Sequence, residues 1–262
     1  MTDENILKVD GVTKMFGGLA ALLEVSFSVR RGEIKAVIGP NGAGKTTLFD
    51  VVTGVQRPTA GQIYLKGDLI NGLRPDSITA MGMMRTFQTI CLFEGMTVLE
   101  NVMVGCHSRS RKGFIANGLL LPSARREERA IVGKAERTLA EVGLESRAYD
   151  MGTNLSYGQQ RMLELARALA SDPEILLLDE PAAGLNPYET AELSGLLKKL
   201  RDKGLTLLVV EHDMGLVMQV SDDIIVLDYG EIIVSGTPEQ VQNDPKVIEA
   251  YLGTGAESDA KG

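Results

Sequence analysis

The stretch GPNGAGKT at residues 39–46 contains the residue types that bind phosphate. Glycines let a loop turn its backbone amides toward one point, and the amino end of a following helix adds further donors for phosphate oxygens. The ammonium group of Lys45 would reach the β and γ phosphates of a nucleotide, and the Thr46 hydroxyl is a ligand for Mg²⁺. Because the pattern lies between a short apolar run and a helical run, it predicts a nucleotide-binding loop. The alternative is a glycine turn without a ligand.

Two adjacent carboxylates end the apolar run ILLLDE at residues 175–180. Asp179 could hold the same Mg²⁺ through water, and Glu180 could polarise the water that attacks the γ phosphate. Without a cation, two neighbouring carboxylates would repel each other. The run therefore predicts the hydrolytic part of the same site, and the alternative is an ordinary solvated strand end.

Three single residues are further candidates. His212 ends the apolar run LTLLVVEH, where a neutral imidazole could hydrogen-bond the γ phosphate and orient Glu180. Gln88 could bond water or metal without bringing a charge. Phe16 could stack on an adenine ring or belong to the core, and the spacing leaves both open. We expect His107, the only other histidine, to lie at the surface.

The stretch LSYGQQ at residues 155–160 opens a helix whose first end is positively polarised. Ser156 and Gln159 form a capping box, which predicts that the helix begins at about Tyr157. Gly158 in the first turn, where a side chain would ordinarily favour the helix, indicates that something approaches the backbone closely. The alternative is a good helix cap with no ligand. We expect one apolar face on this helix, made of Met162, Leu165, Ala166 and Leu169.

The elements around these residues predict an α/β fold. Strand, glycine loop and helix follow one another near residue 40, and near-continuous apolar runs such as ILLLDE are typical of central parallel strands. Ligands bind at the carboxyl ends of such strands. The first thirty residues alternate in polarity and predict antiparallel strands, whereas residues 89–170 show helical periods. We predict that residues 1–88 and 171–240 form the core, 89–170 a helical subdomain, and 241–262 a C-terminal helix and tail.

Composition excludes several classes of function. A formal net charge of -8 and a pI near 5.0 argue against a long contact with nucleic acid or with an anionic lipid surface. The two cysteines have no metal-ligand spacing. The sequence shows neither an apolar signal region at its start nor the ~18 apolar residues in a row that a membrane span needs, and it predicts a cytoplasmic protein. A basic stretch at residues 109–129 predicts a solvated face; contact with lipid head groups or with a partner loop is the alternative.

Five motifs stand in an order that resembles the ATP-binding subunits of ABC transporters, over roughly residues 5–240. They are GPNGAGKT, Gln88, LSYGQQ, ILLLDEP and EHD. Several segments resemble more narrowly the LivG-like ATPases of branched-chain amino acid importers. These segments are FGGLAAL, RTFQ, MTVLENVMVG, LSYGQQ, PAAGLNP and AYLG. The resemblance implies a P-loop NTPase (RecA-like) core with a mostly parallel sheet, an N-terminal antiparallel β subdomain and an inserted α-helical subdomain. It also implies that ATP is hydrolysed with Mg²⁺ between two subunits in a head-to-tail dimer.

The resemblance implies a role for each motif residue. Phe16 would stack on adenine, and Gln88 would sense the metal and the membrane partner. Glu180 would be the general base and His212 the switch histidine. The residues that would hold phosphates and Mg²⁺ are Gly39, Pro40, Asn41, Gly42, Ala43, Gly44, Lys45, Thr46 and Thr47, with Asp179 and Gln88 at the metal. Those that would meet the γ phosphate of the opposing subunit are Ser156, Gly158 and Gln159. Two positions depart from the common pattern, because Tyr157 replaces a glycine and Asn186 replaces an aspartate.

The resemblance also implies partners. We expect a second ATPase subunit, the same or a related chain, two transmembrane permease subunits and, indirectly, an extracytoplasmic substrate-binding protein. The chain would then be peripheral on the inner face of the cell membrane.

Residues 81–103 hold five of the eleven methionines; they predict core packing or a groove for a permease helix. The alternatives for function are an ABC ATPase with other cargo, such as lipid or lipopolysaccharide export, and a non-transport mechanical ATPase of the ABC type.

Overall fold

The structure of the chain is a computed structural model that describes residues 4–107 and 122–253. Over these residues the chain forms ten strands and nine α-helices. The strands are β1 (Asn5–Phe16), β2 (Leu19–Arg30), β3 (Ile34–Ile38), β4 (Ala60–Leu65), β5 (Asp68–Leu69), β6 (Met83–Arg85), β7 (Ile175–Asp179), β8 (Thr206–Val210), β9 (Asp223–Asp228) and β10 (Glu231–Gly236). The helices are α1 (Lys45–Val52), α2 (Pro75–Ala80), α3 (Val98–His107), α4 (Pro122–Glu141), α5 (Tyr157–Leu169), α6 (Pro187–Asp202), α7 (Met214–Val220), α8 (Pro238–Gln242) and α9 (Pro245–Gly253).

The larger sheet of the described chain has six strands in the order β10-β9-β3-β8-β7-β6. All neighbouring pairs are parallel except β9 and β10, which form a hairpin. Every residue of β3, β7 and β8 is buried, which explains their near-continuous apolar sequences. The predicted α/β fold with a mostly parallel sheet is confirmed. The carboxyl ends of β3, β7 and β8 lead into the glycine loop, Glu180 and His212.

The smaller sheet is antiparallel, in the order β2-β1-β4-β5. Strands β1 and β2 form a hairpin in which Phe16 pairs with Leu19 across the glycine pair at residues 17–18. Their alternating polarity matches a sheet with one buried face, and Val9, Val12 and Val25 lie in the core. The antiparallel sheet predicted for the first thirty residues is thus present, and it extends to residues 60–69.

The described chain divides into two compact units. The first contains the described residues of 1–85, 175–182 and 190–262, and the second contains those of 86–174 and 183–189. The sequence placed the helical subdomain at 89–170; the second unit spans 86–174 and also includes the short segment 183–189, which strand β7 and the residues just after it separate from the rest. That segment follows Ala182, close behind the carboxylates of β7.

The second unit has a core of its own, built by α3, α4 and α5 around Val102, Leu139 and Leu163. Helix α5 is buried on nearly every side, including Arg161 and Glu164, which are 4% and 3% exposed. The predicted apolar residues lie inward as expected, since Leu165, Ala166 and Leu169 are buried and Met162 packs against the core of the second unit. The sequence pattern did not predict that Arg161 and Glu164, which are joined to each other at 3.0 Å, are buried as well.

The methionine-rich segment is mostly core. Met83 is 1% exposed and Met81 packs beside it in the core of the first unit, while Met103 packs in the core of the second. The exposed apolar residues of this stretch are Phe87 and Phe93. Three of the five methionines in this stretch, Met81, Met83 and Met103, therefore pack in or against the two cores.

Some expectations fall partly or wholly outside the described residues. Residues 108–121 include most of the basic stretch, and 254–262 include the predicted tail; Arg126 and Arg129 on α4 are exposed. Within the described part of the chain, no helix combines the length and apolar character that crossing a bilayer requires.

Candidate functional site

The glycine loop forms a concavity between β3 and α1. Gly44 has a φ of 104°, and a Cβ atom built on it would lie 2.5 Å from the carbonyl oxygen of Ala21. Only glycine fits there, because any side chain would overlap the backbone of β2. Pro40 is buried, while Asn41 and Gly42 are exposed at the tip of the loop. The loop is therefore buried at its start and exposed at its tip.

Lys45 points back into this concavity. Its Nζ donates to the carbonyl oxygens of Gly39 at 2.6 Å and Pro40 at 2.9 Å, and the residue is 7% exposed. Burial lowers the pKa of Lys45, and the charges of Glu180 and Asp179 oppose that shift. A cation held in a glycine loop at the start of a helix is suited to binding the terminal phosphates of a nucleotide.

The hairpin between β9 and β10 fixes the loop from behind. Gly230 donates its amide to the carbonyl of Ala43 at 3.0 Å, and the carbonyl of Gly230 accepts from the amide of Leu23 at 2.9 Å. One residue at the hairpin turn thereby ties the glycine loop to β2. The hairpin and the loop are distant in sequence, so no local pattern predicts this contact.

Glu180 and His212 form a hydrogen-bonded pair at the ends of two parallel strands. Nε2 of His212 lies 2.6 Å from Oε1 of Glu180, whose side chain is 13% exposed. Glu180 has a φ of 48°, an unusual value for a residue with a side chain, and its amide donates to the carbonyl of Val210 at 2.8 Å. A carboxylate held by an imidazole in this way can act as a general base whose orientation is fixed.

Glu211 lies beneath this pair and was not singled out from the sequence. It is 2% exposed, and its carboxylate accepts from the amides of Ala182 at 2.7 Å, His212 at 2.9 Å and Asp213 at 3.2 Å. Burial raises the pKa of Glu211, and the amide hydrogen bonds oppose that shift. One carboxylate therefore fixes both the backbone of His212 and the chain just after Glu180.

Asp179 is paired with Arg85, a second residue that the sequence analysis missed. Arg85 lies at the end of β6; its guanidinium contacts Asp179 at 2.7 Å and Asp50 of α1 at 2.6 Å. Its side chain is 7% exposed and that of Asp179 is 5% exposed. Arg85 thus joins the end of β7 to the helix that follows the glycine loop.

Gln88 lies in the second unit, next to the buried Arg161 of α5. The guanidinium of Arg161 donates to the carbonyls of Phe87 at 3.0 Å and Gln88 at 2.9 Å. The residue Gln88 is exposed. The backbone around Gln88 is therefore anchored on the helix that LSYGQQ opens, a contact that sequence spacing does not show.

The capping box of α5 is present as predicted. The amide of Gln159 donates to Oγ of Ser156 at 3.3 Å, and the amide of Ser156 donates to Oε1 of Gln159 at 3.1 Å. The helix begins at Tyr157, as expected, and Gly158 is buried. Ser156, Gly158 and Gln159 belong to the second unit, together with Gln88.

The predicted residues thus fall into two sets. The first unit brings together the glycine loop, Asp179, Glu180 and His212, and it also holds Phe16. Phe16 is 46% exposed, with Nζ of Lys14 at 4.9 Å from the ring centroid, so the core alternative for Phe16 is not what the structure shows.

Comparisons with known proteins agree with this geometry. Residues 22–183 match the family model described as ABC transporter, and residues 231–257 match that described as branched-chain amino acid ATP-binding cassette transporter. The chain is 47% identical to the high-affinity branched-chain amino acid transport ATP-binding protein LivG of Escherichia coli (strain K12) over 249 residues, covering 95% of this chain and 98% of that one.

Solved structures give the same picture. The ADP conformation of MJ1267, an ATP-binding cassette of an ABC transporter, is 34% identical with a TM-score of 0.83 and covers 95% of this chain and 99% of that chain. A dimeric post-hydrolysis state of the cassette MJ0796, bound to ADP and Pi, is 29% identical with a TM-score of 0.75 and covers 88% of this chain and 98% of that chain.

Proposed function

This chain belongs to the family of ABC transporter ATP-binding subunits, and on that premise we propose that it powers the import of branched-chain amino acids. The observation that best supports this cargo is the 47% sequence identity to LivG, over 98% of the length of that protein. The match of residues 231–257 to the branched-chain amino acid type supports the same cargo, because it lies outside the segment matched by the general family.

We propose that ATP binds with its phosphates in the concavity of residues 39–47. The backbone amides of the loop and the ammonium of Lys45 supply the donors, and Phe16 offers an exposed ring on which adenine stacks. Thr46 and Asp179 provide oxygen ligands of the kind that Mg²⁺ prefers alongside substrate phosphates and water. Bound there, the ion would neutralise the charge that develops on the phosphates. Gln88 belongs to the second unit, and its role at the metal stays a prediction from the sequence.

Hydrolysis is assigned to the pair at the strand ends. Glu180 takes a proton from the attacking water, and His212, held 2.6 Å away, fixes the carboxylate. Lys45 stabilises negative charge on the γ phosphate, and Glu211 holds the backbone on which both reacting side chains depend.

We propose that the complete site needs two subunits arranged head to tail. Ser156, Gly158 and Gln159 of one subunit would approach the γ phosphate that the glycine loop of the other subunit holds. The polarised amino end of α5 favours this, since helix starts bind anions. The dimeric form of the related cassette MJ0796 supports it, and the second subunit is the same or a related chain.

The energy would be passed to two permease subunits in the membrane. We propose that they dock near residues 89–95. Phe93 in this segment is 45% exposed, and Phe87, just before it, is 52% exposed. The chain would then be peripheral on the inner face of the cell membrane, and an extracytoplasmic substrate-binding protein would deliver the cargo to the permease.

The proposed cargo is tested by purifying the tagged chain from solubilised membranes and identifying the proteins that accompany it. We expect two permease subunits, and the reconstituted complex should bind a binding protein loaded with leucine. Recovery of a lipid-exporting or lipopolysaccharide-exporting membrane protein instead would refute import of amino acids while leaving the ATPase assignment intact.

A further inference from the structure

We propose that Glu189 and Tyr157 fasten the segment 183–189 to the amino end of α5, so that this segment and the LSYGQQ stretch move as one body. The inference rests on the proposed function, in which that helix end meets the nucleotide of a second subunit. Glu189 and Tyr157 would then be positioning residues, since neither is assigned a contact with the nucleotide of its own subunit.

The first contact joins Glu189 to Gly158. A Cβ atom built on Gly158 would lie 2.5 Å from Cδ of Glu189 and would overlap its carboxylate. Gly158 is buried although it lies in the first turn of a helix. The carboxylate that approaches this backbone closely is therefore one from the same chain. It also places a negative charge at the positively polarised end of α5, which stabilises the helix.

The carboxylate of Glu189 is not free to swing aside, because it belongs to a second capping box. The amide of Asn186 donates to Oε2 of Glu189 at 3.0 Å, and the amide of Glu189 donates to Oδ1 of Asn186 at 3.0 Å. These bonds cap α6, which begins at Pro187. Moving Glu189 away from Gly158 would break that cap. Asn186 therefore performs a local task for which asparagine and aspartate are about equally suited.

The second contact joins Tyr157 to Gly184. A Cβ atom built on Gly184 would lie 2.8 Å from Cε1 and 3.3 Å from Cζ of Tyr157. The aromatic ring that replaces a glycine in LSYGQQ thus lies flush against the backbone of the segment 183–189. Two neighbouring residues of α5 contact two positions of that segment, and the segment belongs to the same compact unit as α5.

The consequence concerns Glu180. The segment 183–189 continues directly from Ala182, whose amide is held by Glu211. A displacement of the amino end of α5, such as a nucleotide from a second subunit would cause, is therefore transmitted along a few residues of chain to the general base. Arrival of the opposing subunit and alignment of Glu180 would be linked by Glu189 and Tyr157.

A double-mutant cycle without nucleotide tests the contact itself. In the full chain, Gly158→Ala should lower the melting temperature by about 4 °C, and Glu189→Ala by about 3 °C. The double variant should have the same melting temperature as the single variant Glu189→Ala, because the added methyl group no longer meets a carboxylate. The matched control is Gly195→Ala on α6, where an added Cβ would meet nothing within 4 Å and should not lower the melting temperature. Additive losses in the double variant would overturn the proposal.

Steady-state kinetics test the role in coupling. Gly158→Ala should lower kcat about tenfold with KM for ATP changed less than about twofold, and the double variant should recover to within about twofold of Glu189→Ala. Glu189→Gln, which keeps the shape and the bond to Asn186, should stay near wild type. A double variant as slow as Gly158→Ala would overturn the inference. Failure of the wild-type chain to hydrolyse ATP would instead refute the proposed function, and the nucleotide-free cycle would still decide the contact.

Discussion

Oε1 of Glu180 and Nε2 of His212 lie 2.6 Å apart. They do so because the hydrogen bonding between the parallel strands β7 and β8 continues one residue past the end of β7. Asp179 pairs with Val210 in the parallel register of β7 and β8, and the amide of Glu180 then donates to the carbonyl of Val210. Each side chain follows its strand by one or two residues. The register of the sheet therefore sets the distance between the proposed base and the histidine that orients it.

Replacing Glu180 by glutamine should stop hydrolysis and preserve binding. The amide cannot accept a proton, so kcat should fall by at least about 100-fold. The side chain keeps its shape and an oxygen that can contact Nε2 of His212. On sizing with ATP and Mg²⁺, the variant should elute as a trapped dimer, or as a dimer with its related partner if one is supplied. The exposed Glu192→Gln is the control. An ATP-loaded variant that stays monomeric would count against the two-subunit site.

Replacing Glu211 by alanine should slow the chemistry more than it weakens ATP binding. Three backbone amides, those of Ala182, His212 and Asp213, would lose their common acceptor. We expect kcat to fall about tenfold and the affinity for ATP to change less than about threefold. Glu211→Gln, which keeps one acceptor oxygen, should be intermediate. Equal losses in kcat and in affinity would show that Glu211 supports the fold in general rather than this pair.

Replacing Arg85 by methionine should destabilise the first unit. The substitution leaves the carboxylates of Asp50 and Asp179 without their buried cation, and it should lower the free energy of unfolding by about 3 kcal/mol. Arg74→Met is the matched control, because Arg74 pairs with Asp76 with its side chain 82% exposed, and the loss there should be below about 0.5 kcal/mol. Urea unfolding of both variants decides the matter, and equal losses would contradict the bridging role of Arg85.

A comparison of two capping boxes distinguishes a loss of stability from a loss of function. Ser156→Ala on α5 and Thr237→Ala on α8 each remove a side chain that accepts from the third helical residue, and each should lower the free energy of unfolding by about 1 kcal/mol. Only Ser156→Ala should also lower the rate of ATP hydrolysis, since α8 carries none of the proposed site. Comparable rates in the two variants would remove Ser156 from the proposed site.

The sequence predicted the glycine loop, the strand ends and the capping box because each is a local pattern. The apolar runs predicted where the central strands lie, and parallel strands must bring their carboxyl ends to one edge of the sheet. The positions of Lys45, Glu180 and His212 in one unit follow from that geometry alone.

The residues that the sequence analysis missed act between segments remote in sequence. Arg85 joins β6, α1 and β7, and Glu211 joins the chain after β7 to the chain after β8. A signal for Glu211 existed, since an acidic residue ending a fully apolar strand beside His212 must be buried and needs donors. On helix α5, the burial of Arg161 and Glu164 was missed because the two side chains pair with each other in the interior, which hydrophobic periodicity cannot show.

Import of branched-chain amino acids is tested most directly by the uptake of labelled leucine into cells whose own copy of this chain is replaced by the Glu180→Gln variant. We expect high-affinity leucine uptake to be lost while uptake of a charged amino acid such as glutamate is unchanged. Undiminished leucine uptake in these cells, with the variant present at normal levels, would contradict the proposed function.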